Sequence, residues 1–249
     1  MTLLGVEGIV KNYGGIQALR NCTMNFQEGA INGLIGPNGS GKTTLFNVMT
    51  GYETPDSGKV TFRGKDITNS TPDEVFAAGI GRTFQLTRIF PRLTVIENVH
   101  IAAQRKGLVA QMRQWSQPDE RARALESLDF VGLTKLSREP AGSLSYGQQK
   151  LLEFAFIMVA EPKVMLLDEP AGGVNPTLLK HLGGRIKELN KTGVTFIIVE
   201  HDMEFVMGIC DQVSVMHQGS ALLEGKPEVV RNDPAVLEAY LGTDMTEAK

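Results

Sequence analysis

Cysteine is nearly missing from this chain. Cys22 and Cys210 are the only two in 249 residues, and with no CxxC pair or His-rich spacing around them they support neither a disulfide framework nor a zinc site. A reducing, cytosolic setting fits that usage. A basic excess is missing too: the formal net charge is −3, so no general positive field exists to hold nucleic acid or an anionic membrane surface. Nucleic acid is therefore not expected as a partner. Long hydrophobic runs are also lacking. The stretch "LLEFAFIMVA" falls well short of the roughly 20 residues a membrane span needs, and it contains Glu153. The N-terminal "MTLLGVEGIVKNYGG" has no positive start, long apolar core or small-residue cleavage site, so no secretory signal is read there. Work at a membrane would require other chains to hold this one in place.

What is present is an alternation. "AINGLIG" precedes "KTTLFNVMTG", "KVMLLDE" precedes "TLLKHLGGRIKELNK", and "GVTFIIVEH" precedes "MEFVMGIC". Near-continuous apolar strands followed by amphipathic helices predict an α/β fold, a mostly parallel sheet covered on both faces. Residues 3 to 33 carry shorter strand-like segments with turn signals at "YGG" and "QEG", consistent with an N-terminal antiparallel β flank. From 86 to 160 the rhythm changes. "TVIENVHIAAQ", "DERARALESLDFVG" and "YGQQKLLEFAFIMVAE" read as helices with no strand among them, which predicts an inserted helical subdomain over 86–160. The α/β core then comprises 1–85 and 161–249 of a single 1–249 domain. "DQVSVMHQG" and "SALLEG" read as two weak closing strands. The segment "RKGLVAQMRQWSQPDE", with the single tryptophan Trp115, is the least periodic and reads as a surface insertion.

"GPNGSGKTT", Gly36 to Thr44, matches G-x-x-x-x-G-K-[ST] and has a strand before it and a helix after it, as that pattern requires. Asn38, Gly39, Ser40, Gly41 and Thr44 supply the loop and helix start. Its glycines let successive backbone N–H groups turn inward on phosphates, and the positive end of the helix adds to the field. Lys42 is expected to reach the β and γ phosphates, and Thr43 to place its hydroxyl on Mg²⁺. A nucleoside triphosphate site follows.

"VMLLDE" delivers Asp168 at the carboxyl end of a buried strand, where open α/β sheets bind ligands. Asp168 is expected to hold the magnesium shell. Glu169 is the natural general base, a carboxylate placed to polarise water for in-line attack on the γ phosphorus. Alone, an Asp-Glu pair at a strand end is more often a solvated turn; the phosphate loop reverses those odds. Gln85 after "GIGRTF" and His201 after "TFIIVE" each end an apolar run expected to lie beside the phosphate-binding strand. Residues of these types at strand ends are usually structural. In this pattern the same sheet edge favours γ-phosphate contact for His201 and metal or water contact for Gln85.

The ordered set "GPNGSGKTT", Gln85, "LSYGQQ", "VMLLDEP" and His201, with a helical insert between Gln85 and "LSYGQQ", resembles the ATP-binding subunit of an ABC transporter over essentially the whole chain. The resemblance implies a P-loop NTPase core and a head-to-tail dimer, with a second ATP-binding subunit, sandwiching two ATP molecules. By the same resemblance Tyr13 stacks on adenine, while Ser145, Gly147 and Gln148 complete the site in trans. Tyr13 also reads as an exposed strand-end aromatic. "GRTFQLTRIFPRLTVIENV", the Tyr of "LSYGQQ", "DEPAGGVNP" and the closing "YLG" resemble the branch that serves importers of branched-chain amino acids and related small polar solutes, including urea. Asn175 stands where many relatives carry aspartate, which removes a charge at the dimer seam and keeps a carbonyl and an amide for bridging.

The resemblance further implies peripheral placement on the cytoplasmic face of the inner membrane, with polytopic permease subunits docking near Arg88 to Arg92. Ile89 and Phe90 are read as lining a groove for a permease helix, or else Phe90 packs inside the helical subdomain. A lipid exporter motor, or a soluble ABC ATPase of cofactor assembly, would use the same catalytic residues. A DNA-repair ATPase head is disfavoured because no long heptad segment divides the two halves of the site. Ser145 and Gln148 also have capping-box spacing, and that reading and the trans-phosphate reading hold together. Tyr146 argues for ordinary backbone geometry at its position, with its ring turned from phosphate toward the partner subunit.

Overall fold

The computed structural model describes residues 1–84, 88–103 and 118–244. Gln85 and Trp115 lie outside the described residues. In chain order the first elements are β1 (Thr2–Tyr13), β2 (Ile16–Gln27), β3 (Ile31–Ile35), α1 (Lys42–Met49), β4 (Ser57–Phe62) and β5 (Lys65–Asp66). Next come α2 (Pro72–Ala78), β6 (Ile80–Arg82), α3 (Val95–Ala103), α4 (Pro118–Phe130), α5 (Tyr146–Met158), β7 (Val164–Asp168) and α6 (Pro176–Asn190). The chain continues through β8 (Thr195–Val199), α7 (Met203–Ile209), β9 (Gln212–His217), β10 (Ser220–Gly225), α8 (Pro227–Arg231) and α9 (Pro234–Asp244).

Two sheets form. The antiparallel flank is a four-stranded sheet in the order β2-β1-β4-β5, and its first two strands run 12 residues each, longer than the segments read from sequence. The second sheet runs β10-β9-β3-β8-β7-β6, parallel from β9 through β6 with β10 antiparallel at the edge. Every residue of β3, β7 and β8 is buried, which is why these strands read as continuous apolar runs rather than alternating ones.

The pleat divides their side chains between two cores. Ile31, Ile35, Met165, Leu167, Phe196 and Ile198 pack with residues of α3 through α7 on one face. Leu34, Val164, Leu166, Ile197 and Val199 pack on the other with α1 and the antiparallel sheet. The rings of Phe154 and Phe196 stack at 6.4 Å, seating α5 on the first face. Helices α3, α4 and α5 pack against one another.

Strand order corrects one expectation. The strand before His201, β8, does lie beside β3, but β6, which precedes Gln85, pairs among the described residues only with β7 and sits at the far edge of the sheet. Short apolar runs carry no information on which neighbour they pair with, and β6 is only three residues long. Among the described residues no helix is long and apolar enough to cross a membrane.

Candidate functional site

All five parallel strands end on one edge, and the phosphate loop leaves it from β3, between β9 and β8. Ile35 closes β3 and Lys42 opens α1. The loop is pinned against the turn after β9: Gly219 N donates to Ser40 O at 3.0 Å, and a Cβ built on Gly36 would lie 2.2 Å from the carbonyl oxygen of Met216. No side chain fits there. Gly41 caps α1 at φ 100°, without a side-chain cap hydrogen bond, so the first N–H groups of the helix have no capping oxygen and suit an anion.

Lys42 Nζ donates to Gly36 O at 2.7 Å and Pro37 O at 3.0 Å, drawn across the loop itself. Burial pushes its pKa down, while Glu169 and Asp168 oppose that shift, so both carboxylates are within electrostatic reach of the ammonium. The hydroxyl of Ser40 is buried without a partner among the described residues, an orphan that a bound phosphate oxygen would satisfy. Thr43 is exposed on the first turn of α1. Tyr13 ends β1, is 43% exposed and has the Lys11 ammonium 5.4 Å from its ring centre.

Two strands from the loop, Asp168 ends β7 and is buried. Its Oδ2 accepts from Arg82 Nη2 at 3.0 Å and its backbone N donates to Thr83 Oγ1 at 3.1 Å. Glu169 follows at φ 47°, a left-handed conformation that costs a non-glycine residue about 1 kcal/mol or more. Its backbone N donates to Val199 O at 2.9 Å, so the sheet itself enforces the bend that turns this side chain off the strand. His201 Nδ1 lies 4.0 Å from Glu169 Oε1, the juxtaposition expected if both serve one phosphate.

Glu200 is marked by no motif. It is fully buried and accepts backbone N–H groups from Ala171 at 2.6 Å, His201 at 3.0 Å and Asp202 at 3.3 Å. Burial raises its pKa against those three donors. It ties the loop after Glu169 to the loop that carries His201. A glutamate ending an otherwise apolar strand was the available signal.

The signature segment begins α5. Ser145 and Gln148 form a reciprocal capping box, with Ser145 N donating to Gln148 Oε1 at 2.9 Å and Gln148 N to Ser145 Oγ at 3.4 Å. Tyr146 is in the first helical turn with ordinary φ, as its identity demands. Its ring, however, rests on its own chain: a Cβ on Gly173 would lie 2.9 Å from Tyr146 Cε1. Gly147 likewise has a reason in its own chain, since a Cβ there would meet Leu178 Cδ2 at 2.4 Å. Asn175 caps α6, its Oδ1 accepting from Leu178 N at 2.9 Å. The carbonyl is thus engaged within the chain.

Beyond β6, the Arg88 guanidinium lies 3.8 Å from the Phe84 ring centre. Ile89 packs on the core, whereas Phe90 is 48% exposed; its backbone is held by Asn98, which accepts from Phe90 N at 2.7 Å and donates to Phe90 O at 3.1 Å. Arg92 is exposed. On α5, Glu153 Oε1 accepts from Phe84 N at 3.0 Å and Lys150 Nζ donates to Phe84 O at 3.2 Å. No motif marks these two residues or Arg82. A charge inside an apolar pattern signals only that a buried partner must exist.

A glycine loop between a buried strand and an uncapped helix, with an Asp-Glu pair on the same edge, defines a phosphate-loop nucleotide-binding domain. Comparison narrows the class. Residues 19–172 match the family described as ABC transporter, and residues 222–246 match the family described as branched-chain amino acid ATP-binding cassette transporter. The chain belongs to the ABC transporter family of ATP-binding cassettes, whose ATP hydrolysis is coupled to transport. It is 40% identical to the high-affinity branched-chain amino acid transport ATP-binding protein LivG of Salmonella typhimurium, over 96% of this chain and 98% of that protein. Among solved structures it resembles an ATP-binding cassette of an ABC transporter in its ADP conformation, with TM-score 0.86 and 37% identity over 97% of this chain and 99% of that one. A dimeric cassette in a post-hydrolysis state bound to ADP and Pi is also similar, with TM-score 0.78 and 26% identity over 90% of this chain and 99% of that one.

Proposed function

We propose that this chain is the motor subunit of an importer for branched-chain amino acids or closely related small polar solutes, acting as a dimer of ATP-binding subunits on the cytoplasmic face of the membrane beneath polytopic permease subunits. The observation that carries the reading is the convergence of the phosphate loop, Asp168, Glu169 and His201 on one sheet edge, with Glu169 and His201 4.0 Å apart. The kinship with LivG, stronger than a shared fold alone, supports import over lipid export or cofactor assembly.

In this reading the loop N–H groups and the start of α1 bind the phosphates, and Lys42 exchanges its two loop carbonyls for the β and γ phosphates. The hydroxyl of Thr43 and the Oδ1 of Asp168 are hard oxygen donors that fit Mg²⁺, with Gln85 as a further ligand. One or two protein oxygens plus substrate phosphates is the usual manner of magnesium binding, and among the described residues no cluster of three or more His, Cys, Asp or Glu offers a different metal site. When bound, Mg²⁺ neutralises charge on the β and γ phosphate oxygens.

Glu169 accepts a proton from the attacking water at its carboxylate, and His201 contacts the γ phosphate. Tyr13 stacks on adenine. Ser145, Gly147 and Gln148 of the partner subunit's helical subdomain, 86–160, cover the γ phosphate, and the amide of Asn175 bridges the seam. Closure follows because ATP touching both subunits binds the closed dimer better than the open one. Phe90 and Arg92 present the surface that meets the permease.

The test is Glu169→Gln. Turnover is expected to fall at least a hundredfold with ATP binding retained; wild-type turnover in that variant removes Glu169 from the role of base. For the solute, vesicles carrying the copurified permease complex should take up radiolabelled leucine in an ATP-dependent manner. Copurification with a soluble scaffold instead would refute the transport assignment.

A further inference from the structure

Arg82 lies at the end of β6, and the roles assigned so far do not use it. Its side chain is 7% exposed and it reaches two other elements at once. Nη1 donates to Asn47 Oδ1 at 2.8 Å and Thr50 Oγ1 at 2.9 Å, at the carboxyl end of the helix that begins with the phosphate loop. Nη2 donates to Asp168 Oδ2 at 3.0 Å. The rings of Phe46, Tyr52 and Phe84 stand 5.5, 5.6 and 5.2 Å from its Cζ and exclude water.

Such a pair is a poor device for stability. The cost of desolvating two charges can exceed their mutual attraction, and apolar residues of similar volume often replace buried pairs without loss. What a guanidinium supplies that an apolar side chain cannot is direction: a rigid planar fork whose N–H arms hold two partners at a set spacing and angle. Here one arm of the fork is anchored on α1 and the other on Asp168. The helix that carries Thr43 and the strand that carries Asp168 are thereby tied through a single rigid group.

We infer that Arg82 is a positioning residue of the nucleotide site: it holds Oδ2 of Asp168 toward α1, so that Oδ1 is presented to the metal in one orientation fixed relative to Thr43. This rests on the magnesium assignment proposed above.

The experiment measures equilibrium binding of a fluorescent ATP analogue to the full chain, in EDTA and across a Mg²⁺ titration, for wild type, Arg82→Met, Arg82→Lys, Asp168→Asn and Arg82→Met/Asp168→Asn. Wild type should bind more tightly with Mg²⁺ than in EDTA. Arg82→Met should cut that increment at least tenfold while affinity in EDTA stays within twofold of wild type. Arg82→Lys, which keeps the charge and loses the fork, should fall between, and it carries the test if Arg82→Met does not fold. In the Asp168→Asn background Arg82→Met should add less than a twofold change, because the partner through which it acts is gone.

A wild-type increment left unchanged by both Arg82 variants overturns the positioning role alone. A larger increment in Arg82→Met overturns it too, since the guanidinium would then be competing with the metal. Effects that simply multiply in the double variant assign Arg82 to general packing. No increment in wild type removes the magnesium assignment and this inference with it.

Discussion

Replacing Gly147 by alanine separates two reasons for a glycine in the signature segment. The added Cβ would stand 2.4 Å from Leu178 Cδ2, with the next atom, Leu178 Cγ, at 3.8 Å. The clash is with one end of one flexible, half-buried side chain. Overpacking of this kind costs about 1–3 kcal/mol, offset by about 1 kcal/mol from the better helix propensity of alanine. A net destabilisation of about 0–2 kcal/mol lowers Tm by no more than about 8 °C in a chain of this size, and the protein stays folded at assay temperature.

Packing alone therefore leaves ATPase activity close to wild type. Loss of a close backbone approach to the partner's γ phosphate should instead cost about a hundredfold, about 2.7 kcal/mol of transition-state stabilisation. The assay is steady-state ATP hydrolysis by the intact transporter, alongside thermal melts, for Gly147→Ala, Leu178→Ala and the double variant. Leu178→Ala makes room for the methyl group, so the double variant should melt above the sum of the single effects while its activity stays about a hundredfold down. Recovery of activity in the double variant to within about threefold of Leu178→Ala refutes the trans contact, as does a Gly147→Ala protein of normal activity.

Two further outcomes follow from the same geometry. Tyr146→Gly removes a ring that rests on Gly173 and should leave ATPase activity within tenfold of wild type; a hundredfold loss in steady-state hydrolysis would mean the ring serves the phosphate site. Glu153 is buried and its pKa is raised from 4.5 to about 7, chiefly by burial and against the opposing pull of Lys150 and Arg88. The folded state thus holds a proton that the unfolded state releases between about pH 4.5 and 7, so stability should fall as pH rises through that window and level off above it, by about 3 kcal/mol at most. Melts from pH 5 to 8 should show Glu153→Gln gaining on wild type as pH rises; parallel curves would refute the shift.

Much of the site was legible because its chemistry forces residue types into local order. Gly36 has no room for a Cβ, Gly41 must take a left-handed φ, and Lys42 and Thr43 must open the helix, so strand, loop and helix appear consecutively in the chain. Asp168 and Glu169 were legible as the polar end of a fully buried strand. The capping box at Ser145 and Gln148 was equally local. Tyr146 was only half legible. Its ordinary backbone followed from its own stereochemistry, but the contact of its ring with Gly173 of the same chain did not. The two positions lie 27 apart along the chain, and nothing in the local pattern joins them.

By itself, then, the sequence determined the nucleotide chemistry, the alternation of buried strands and helices, and the positions of the caps, since each depends on neighbours within a few residues along the chain. Tertiary structure alone decided which strands lie side by side, placing β6 at the edge against β7 rather than beside β3. It also decided the partners of the buried charges: Arg82 with Asp168, Glu200 with the loops around Glu169 and His201, and Glu153 and Lys150 with the peptide at Phe84. The reason is physical. A buried charge must find a partner or it is too costly to bury, but that requirement does not say where along the chain the partner lies, and only the packed fold brings the two together.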